Sequence, residues 1–321
     1  MPKAHWTRYL FLLLAVVCLW RGSELQPRLV RLRSRYDLVS RPAREGVPPE
    51  YILASALLGG FRGLFITTLW IRAQNMKNDG KFYEMIDIYN IITKLQPNHH
   101  SAWAFQSWDL AYNVSVEHDT AEERVFWVFR GVDMLRHQAI PKNEHIPELY
   151  QELAWFFHHK IGQETDWANP AYRAHLVRQV ERVFQITPES SRAFTSDKQK
   201  AYLTEMSVLP ERRETLMADP TFRQVAEALE EKGYDIFADG IRLFRRTQRP
   251  DAVEEILSGD EALHMVRKAR LWTVAQNIRR ELSMNPAEMF RLADKFGPID
   301  WRTPFAHSLY WSTQAFEIWK A

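Results

Sequence analysis

Chemistry-bearing motifs are what this sequence lacks. Its 321 residues hold no Cys-x-x-Cys pair, no Gly-x-Ser-x-Gly elbow, no phosphate-binding glycine loop and no haem-attachment signature, so the common routes to thiol, acyl-transfer and nucleotide chemistry are missing. Cys18 is the single cysteine; no disulfide can form within the chain, and the redox compartment stays open. A lipoprotein signal wants a small residue before its cysteine, and here that residue is Val17. Glycine is scarce, at 12 residues, too few for the many turns of a large sheet protein. One-sided charge is absent as well: 42 basic and 40 acidic residues give a net charge of +2. The body of the chain therefore carries no basic excess of the kind nucleic acid demands. What is abundant is apolar material, 46% of all residues with 13% aromatic, ample for a packed core.

Nor is there a full-length apolar span at the N terminus. Residues 9–20 form an uninterrupted apolar run of twelve, preceded by Lys3 and Arg8 and flanked by Trp6 and Trp20. A complete span takes about 20 residues, although tryptophans at the interface lengthen a short one. A cleavable signal peptide shares this layout, but Trp20-Arg21-Gly22-Ser23 is a poor cleavage sequence. Residues 1–22 thus read as an uncleaved anchor that meets the membrane through residues 9–20. Residues 1–45 hold nine Lys/Arg against three acids, a juxtamembrane pattern. Residues 23–50 read as a basic, proline-containing linker. Basic residues on both sides of the run leave open the side on which the body lies. A second apolar stretch, residues 51–70, contains Gly59, Gly60, Gly63 and Arg62. An arginine at mid-membrane costs about 2.5–3.5 kcal/mol on insertion scales. The stretch reads as the first helix of the folded body, with contact along the membrane surface as the alternative.

Residues 51–195 carry the strongest pattern. After Gly80, which suits a tight turn, Met85, Ile86, Tyr89, Ile92 and Leu95 recur at three- and four-residue spacing and share one helical face. Pro97, Pro141 and Pro188 follow one another at 44 and 47 residues, each closing a periodic helix. Thr120 with Glu123 forms a capping box, Pro147 and Pro170 suit first helical turns, and Asn169 is the expected cap of the second. Three helix pairs are expected between residues 64 and 187. Such a pair cannot bury its apolar face alone and needs stacked neighbours.

In these features the chain resembles the tetratricopeptide-repeat (TPR) family. Gly80, Phe82, Tyr89 and Pro97 match its repeat-defining positions, and Trp103 with Ser107, and Leu153-Ala154 with Phe157, match its first-helix pattern. Met85 stands where that family has a small residue, and the spacing exceeds its usual repeat of about 34, so the likeness is TPR-like rather than strict. The strings Leu58-Gly59-Gly60-Phe61-Arg62-Gly63-Leu64, Leu69-Trp70-Ile71-Arg72-Ala73, Ala111-Tyr112-Asn113-Val114-Ser115-Val116 and Gly297-Pro298-Ile299-Asp300-Trp301-Arg302-Thr303-Pro304 look like those of uncharacterised bacterial membrane-anchored TPR-like proteins. That resemblance implies an inner-membrane anchor and helical repeats, and it brings no reaction with it.

Residues 196–321 read as a C-terminal helical region. Its last helix opens at Thr303-Pro304 and carries Phe305, Leu309, Tyr310, Trp311, Phe316 and Trp319. So apolar a helix needs a partner: it is expected to pack back on the fold, and the alternative is docking on another chain, as in a homo-oligomer. The pairs His99-His100 and His158-His159 are the one hint of a metal site. Neighbouring helical residues point about 100° apart and do not chelate one ion as an i, i+4 pair does. No catalytic residue, metal or cofactor is expected. The sequence therefore points to an all-α, TPR-like antiparallel helix-pair solenoid with an N-terminal membrane-anchor helix and a C-terminal helical extension. Its expected role is a non-catalytic scaffold that binds a protein partner on the concave face near Trp103, Ser107, Tyr150 and Phe157. The alternatives are a metal-dependent enzyme using the histidine pairs and a structural subunit that self-associates.

Overall fold

The computed structural model of the protein describes residues 3–35, 49, 62–244 and 251–320. Among these residues there is no strand, and the chain is all-α. Residues 51–61 of the second apolar stretch lie outside the described residues. Contacts divide the chain into two units, Met1–Gln106 and Ser107–Ala321.

In the first unit, helix α1 (Lys3–Arg35) contains the whole N-terminal apolar run. It also continues through residues 23–35, which sequence had assigned to the linker, with Pro27 inside it. Among the described residues no helix is long and apolar enough to cross a membrane. Helix α2 (Arg62–Asn78) packs on α3 (Phe82–Leu95). Between them Gly80 adopts a φ of 71°, a left-handed conformation that costs glycine little because it lacks a Cβ. Met85, Ile86, Tyr89, Ile92 and Leu95 are all buried, as their spacing requires. Trp70 of α2 meets Tyr89 and Phe105 at ring distances of 5.5 Å each. Pro97 ends α3 and offers its carbonyl to the indole N–H of Trp103, 2.9 Å away, on α4 (His100–Trp108). Of the repeat-defining residues, Gly80 makes the turn, Tyr89 and Pro97 are buried and Phe82 is half-buried.

The second unit begins at the end of α4. Helices α5 (Ala121–Met134), α6 (Pro147–Trp155) and α7 (Asn169–Val183) follow in the expected places. Thr120 caps α5 as the capping box requires, its hydroxyl accepting from the Glu123 N–H at 3.2 Å. Asn169 departs from expectation. It is the first residue of α7 rather than its cap, and its side chain ties the preceding loop, accepting from the Asp166 N–H and donating to the Lys160 carbonyl at 2.7 Å each. That loop encloses a buried ion pair, Lys160 Nζ to Asp166 at 2.7 Å. Gly131 lets α5 approach the end of α4: a Cβ there would stand 2.6 Å from the Ser107 carbonyl oxygen.

Beyond α7 lie α8 (Ser196–Ser207), α9 (Pro220–Glu230), α10 (Asp260–Asn277), α11 (Pro286–Phe296) and α12 (Pro304–Lys320). A core of Phe222, Leu229, Phe237, Leu243, Leu257 and Val266 gathers α9 and α10 with the short turns between them, and α8 packs on α11. Asn285 caps α11 as expected, accepting from the Ala287 N–H at 2.9 Å. Helix α12 returns to the middle of the chain and packs along α6. Tyr150 meets Trp311 at 6.0 Å and Phe157 stacks on His307 at 4.7 Å. The expectation that the last helix packs back is met, and it joins residues about 150 positions apart, whereas repeats in a linear array touch only their neighbours.

His307 makes this joint sensitive to acid. Its Nε2 lies 3.0 Å from the Trp301 carbonyl and its ring is fully enclosed. Burial first, and the Arg136 charge second, push its pKa down to about 3 against the opposing Trp301 hydrogen bond. The unfolded chain binds this proton near pH 6.5 and the folded chain does not until near pH 3. Stability should therefore fall by about 1.4 kcal/mol per pH unit through that window. Urea unfolding of the wild type and of His307→Gln between pH 7.5 and 5 checks it; below about pH 6.5 the variant should lose up to about 1.4 kcal/mol per unit less, and parallel slopes there would refute it.

Candidate functional site

Among the described residues, four π-helical turns lie in the second unit, following α4 at Asp109–Val114, α5 at Leu135–Ala139, α6 at Phe156–Ile161 and α10 at Ile278–Leu282. A π turn inserts one residue into a helix and is retained mostly where function needs the displaced side chains. Here the four turns fall into two pairs, each joined by a hydroxyl-to-histidine hydrogen bond. Tyr112 Oη lies 3.1 Å from His159 Nδ1, and Ser283, just after the last turn, places Oγ 2.9 Å from His137 Nδ1.

The first pair builds a ladder of rings. Trp108 stacks on Tyr112 at 5.8 Å and 19°, and Tyr112 on His159 at 5.8 Å and 27°. His159 stacks on Trp155 at 4.7 Å and 10°, and His158 joins Trp155 to Phe305 of α12 at 6.0 and 5.5 Å. Trp155 and Phe305 are 48% and 53% exposed. The ladder is thus an aromatic ridge with a polar interior, the kind of surface that favours protein contact. Burial and then the Glu152 charge push the Tyr112 phenol far above its ordinary range, so it stays a neutral partner for His159. Burial also raises the Glu152 carboxyl.

The four residues expected to face a partner do not do so. Trp103, Ser107 and Phe157 are wholly buried and Tyr150 nearly so. Trp103 is held by Pro97, Ser107 lies against Gly131, and Tyr150 donates to the Glu144 carbonyl at 3.0 Å. Helix α12 covers Tyr150 and Phe157. The correction has a simple cause: the bulky face of α6 was free in the sequence pattern only because α12 lies far along the chain. Of the histidine pairs, His99 is exposed and His100 half-buried, while His158 lies 3.1 Å from the Gln163 amide and His159 belongs to the ladder. Among the described residues, no group of three or more His, Cys, Asp or Glu side chains converges as a metal ion requires. Trp103 and Trp127 are each buried, in the first and the second unit respectively, but Trp108, Trp155 and Trp167 are exposed.

Tyr112 and Ser283 escaped the sequence reading. Tyr112 sits inside the string of residues 111–116 singled out for its family resemblance, which coincides with the first π turn. Nothing local marks Ser283.

The chain matches no known family model, no curated protein and no solved structure.

Proposed function

We propose that this protein is a membrane-tethered, non-catalytic helical-repeat adaptor of TPR-like design, which binds a protein partner through the aromatic ridge of Trp155, His158 and Phe305. The half-exposed ridge carries the reading: large rings held rigid by stacking offer contact area at low conformational cost. Because α12 covers Tyr150 and Phe157 on α6, the proposed contact is the exposed ridge in their stead. The tether is α1, where Phe11, Leu13, Leu14, Val16 and Trp20, spread round the helix, are each more than half exposed; a lipid environment would cover such side chains. Anchoring at a bacterial inner membrane belongs to the same proposal.

The test places a photo-reactive amino acid at position 155 in cells and compares it with one at exposed Glu122 on α5. A single reproducible adduct from position 155, reduced by Phe305→Ser and absent at 122, is the expected result. Equal labelling from both positions, or none from either, would overturn the reading. Deletion of residues 9–20 should also move the protein from the membrane fraction to the soluble one.

A further inference from the structure

The second pair of π turns opens on a cavity of about 280 Å³ between α6, α12 and Ser283. Its size falls at the lower end of small-molecule pockets, roughly 300–1,000 Å³. Three polar groups on its lining are unusual. Arg136 is 2% exposed, and its Nε and terminal nitrogen reach Asp133 at 3.0 and 2.8 Å. The Asp133 side chain is itself 44% exposed, so water screens the charge meant to compensate the buried guanidinium. Burial accordingly lowers the Arg136 pKa despite Asp133. Trp311 is 3% exposed, and its indole N–H has no hydrogen-bond partner among the described residues. Ser283 has a φ of 51°, a left-handed conformation that costs a non-glycine residue about 1–2 kcal/mol. Such strain collects at functional sites.

Ser283, His137 and Asp133 superficially suggest a hydrolytic triad, but the hydrogen bonds run the wrong way. Arg136 Nε can only donate, and it lies 3.1 Å from His137 Nε2, which must accept. With Nε2 accepting, the proton of the neutral His137 ring sits on Nδ1, facing Ser283 Oγ and the Glu281 backbone, and Asp133 stands 3.8 Å from Nε2. A histidine that donates to a serine cannot take its proton. The site is arranged to bind, not to transfer an acyl group.

We propose that this cavity binds a small monocarboxylate with an apolar or aromatic body, the carboxylate meeting Arg136 and the Trp311 N–H and the body lying against Ile140, Pro141 and Tyr150. A buried cation with an outward-facing counter-ion and an unused indole donor call for a compact anion. Glu144 at the rim disfavours a dianion such as phosphate. Ile140, Pro141 and Tyr150 on an otherwise polar lining offer an organic body contacts that a bare inorganic ion would leave unused.

Benzoate and its uncharged isostere benzamide separate charge recognition from apolar filling. Titrated calorimetrically into the full chain, benzoate should bind and raise the melting temperature, and benzamide should do neither. Trp311→Phe keeps the ring and removes the N–H; it should weaken benzoate about tenfold, as loss of one charge-assisted donor does. Gln314→Ala, on the same lining, is the milder second variant, expected to weaken benzoate several-fold should Trp311→Phe fail to fold. Equal binding of both probes, no binding of benzoate at millimolar concentration, or unchanged affinity in a folded variant would overturn the proposal. The ridge cross-link is independent of each of these outcomes.

Discussion

A chain ending at residue 303 should lose at least about 5 kcal/mol of stability and the cooperative unfolding of the second unit. Helix α12 buries Ala306, His307, Tyr310, Trp311 and Ala315, and a large apolar side chain contributes about 1.5–3 kcal/mol when fully buried. Its removal also exposes Tyr150 and Phe157 on α6, so both sides of the joint are lost. The Tyr310 hydroxyl additionally accepts from the Asn285 N–H at 2.8 Å, which would be orphaned. Against a total stability of about 5–15 kcal/mol for a typical domain, the loss is decisive. Urea unfolding followed by circular dichroism reads it. A truncated chain that keeps its midpoint would mean that α12 serves another molecule and not this fold. Sizing of both forms tests self-association separately, since Phe316 and Trp319 on the outer side of α12 are 56% and 74% exposed.

Asp166→Ala should cost about 3–5 kcal/mol, the usual penalty for stranding one member of a buried ion pair. The Lys160 and Asp166 side chains are 3% and 11% exposed. Without the carboxylate, the ammonium keeps the rings of Tyr112 and Tyr172, at 5.3 and 5.6 Å, which do not replace a full charge. Tyr172 Oη, now 2.9 Å from Asp166, would lose its acceptor too. Burial disfavours the Asp166 charge, but Lys160, the Ala168 N–H and the Tyr172 hydroxyl outweigh it and hold the carboxyl below its ordinary range. This pair therefore stabilises the fold above the unfolded aspartate pKa near 3.9 and its contribution is lost as pH falls further. The double variant Lys160→Met/Asp166→Leu should recover most of the loss, because no charge is left buried. If Asp166→Ala unfolds at the wild-type urea midpoint, the pair is not structural.

Helix positions were legible because their signals are local. Gly80, the capping residues Thr120 and Asn285, and the prolines at 97, 147, 286 and 304 act within a turn or two of themselves, and α3 follows directly from its apolar spacing. The candidate site was legible in part: the histidine pair at 158–159 stood out in the sequence as a hint of metal binding, and its two members became rungs of a ring ladder once Tyr112 and Trp155 came beside them.

By itself, then, the sequence determined an all-helical chain, the helix ends that local caps and prolines mark, and the apolar face of segments such as α3. Only the tertiary structure decided which of those faces remained outside. Tyr150 and Phe157 became core because a helix about 150 residues later returned to them; Lys160 became an interior cation because one loop folded Asp166 over it. The π turns belong to the same class, since their Tyr112–His159 and His137–Ser283 contacts join residues 47 and 146 positions apart. Periodicity encodes how each segment coils, whereas partner choice depends on contacts between segments far apart in the chain, and no short window of sequence contains both halves of such a contact.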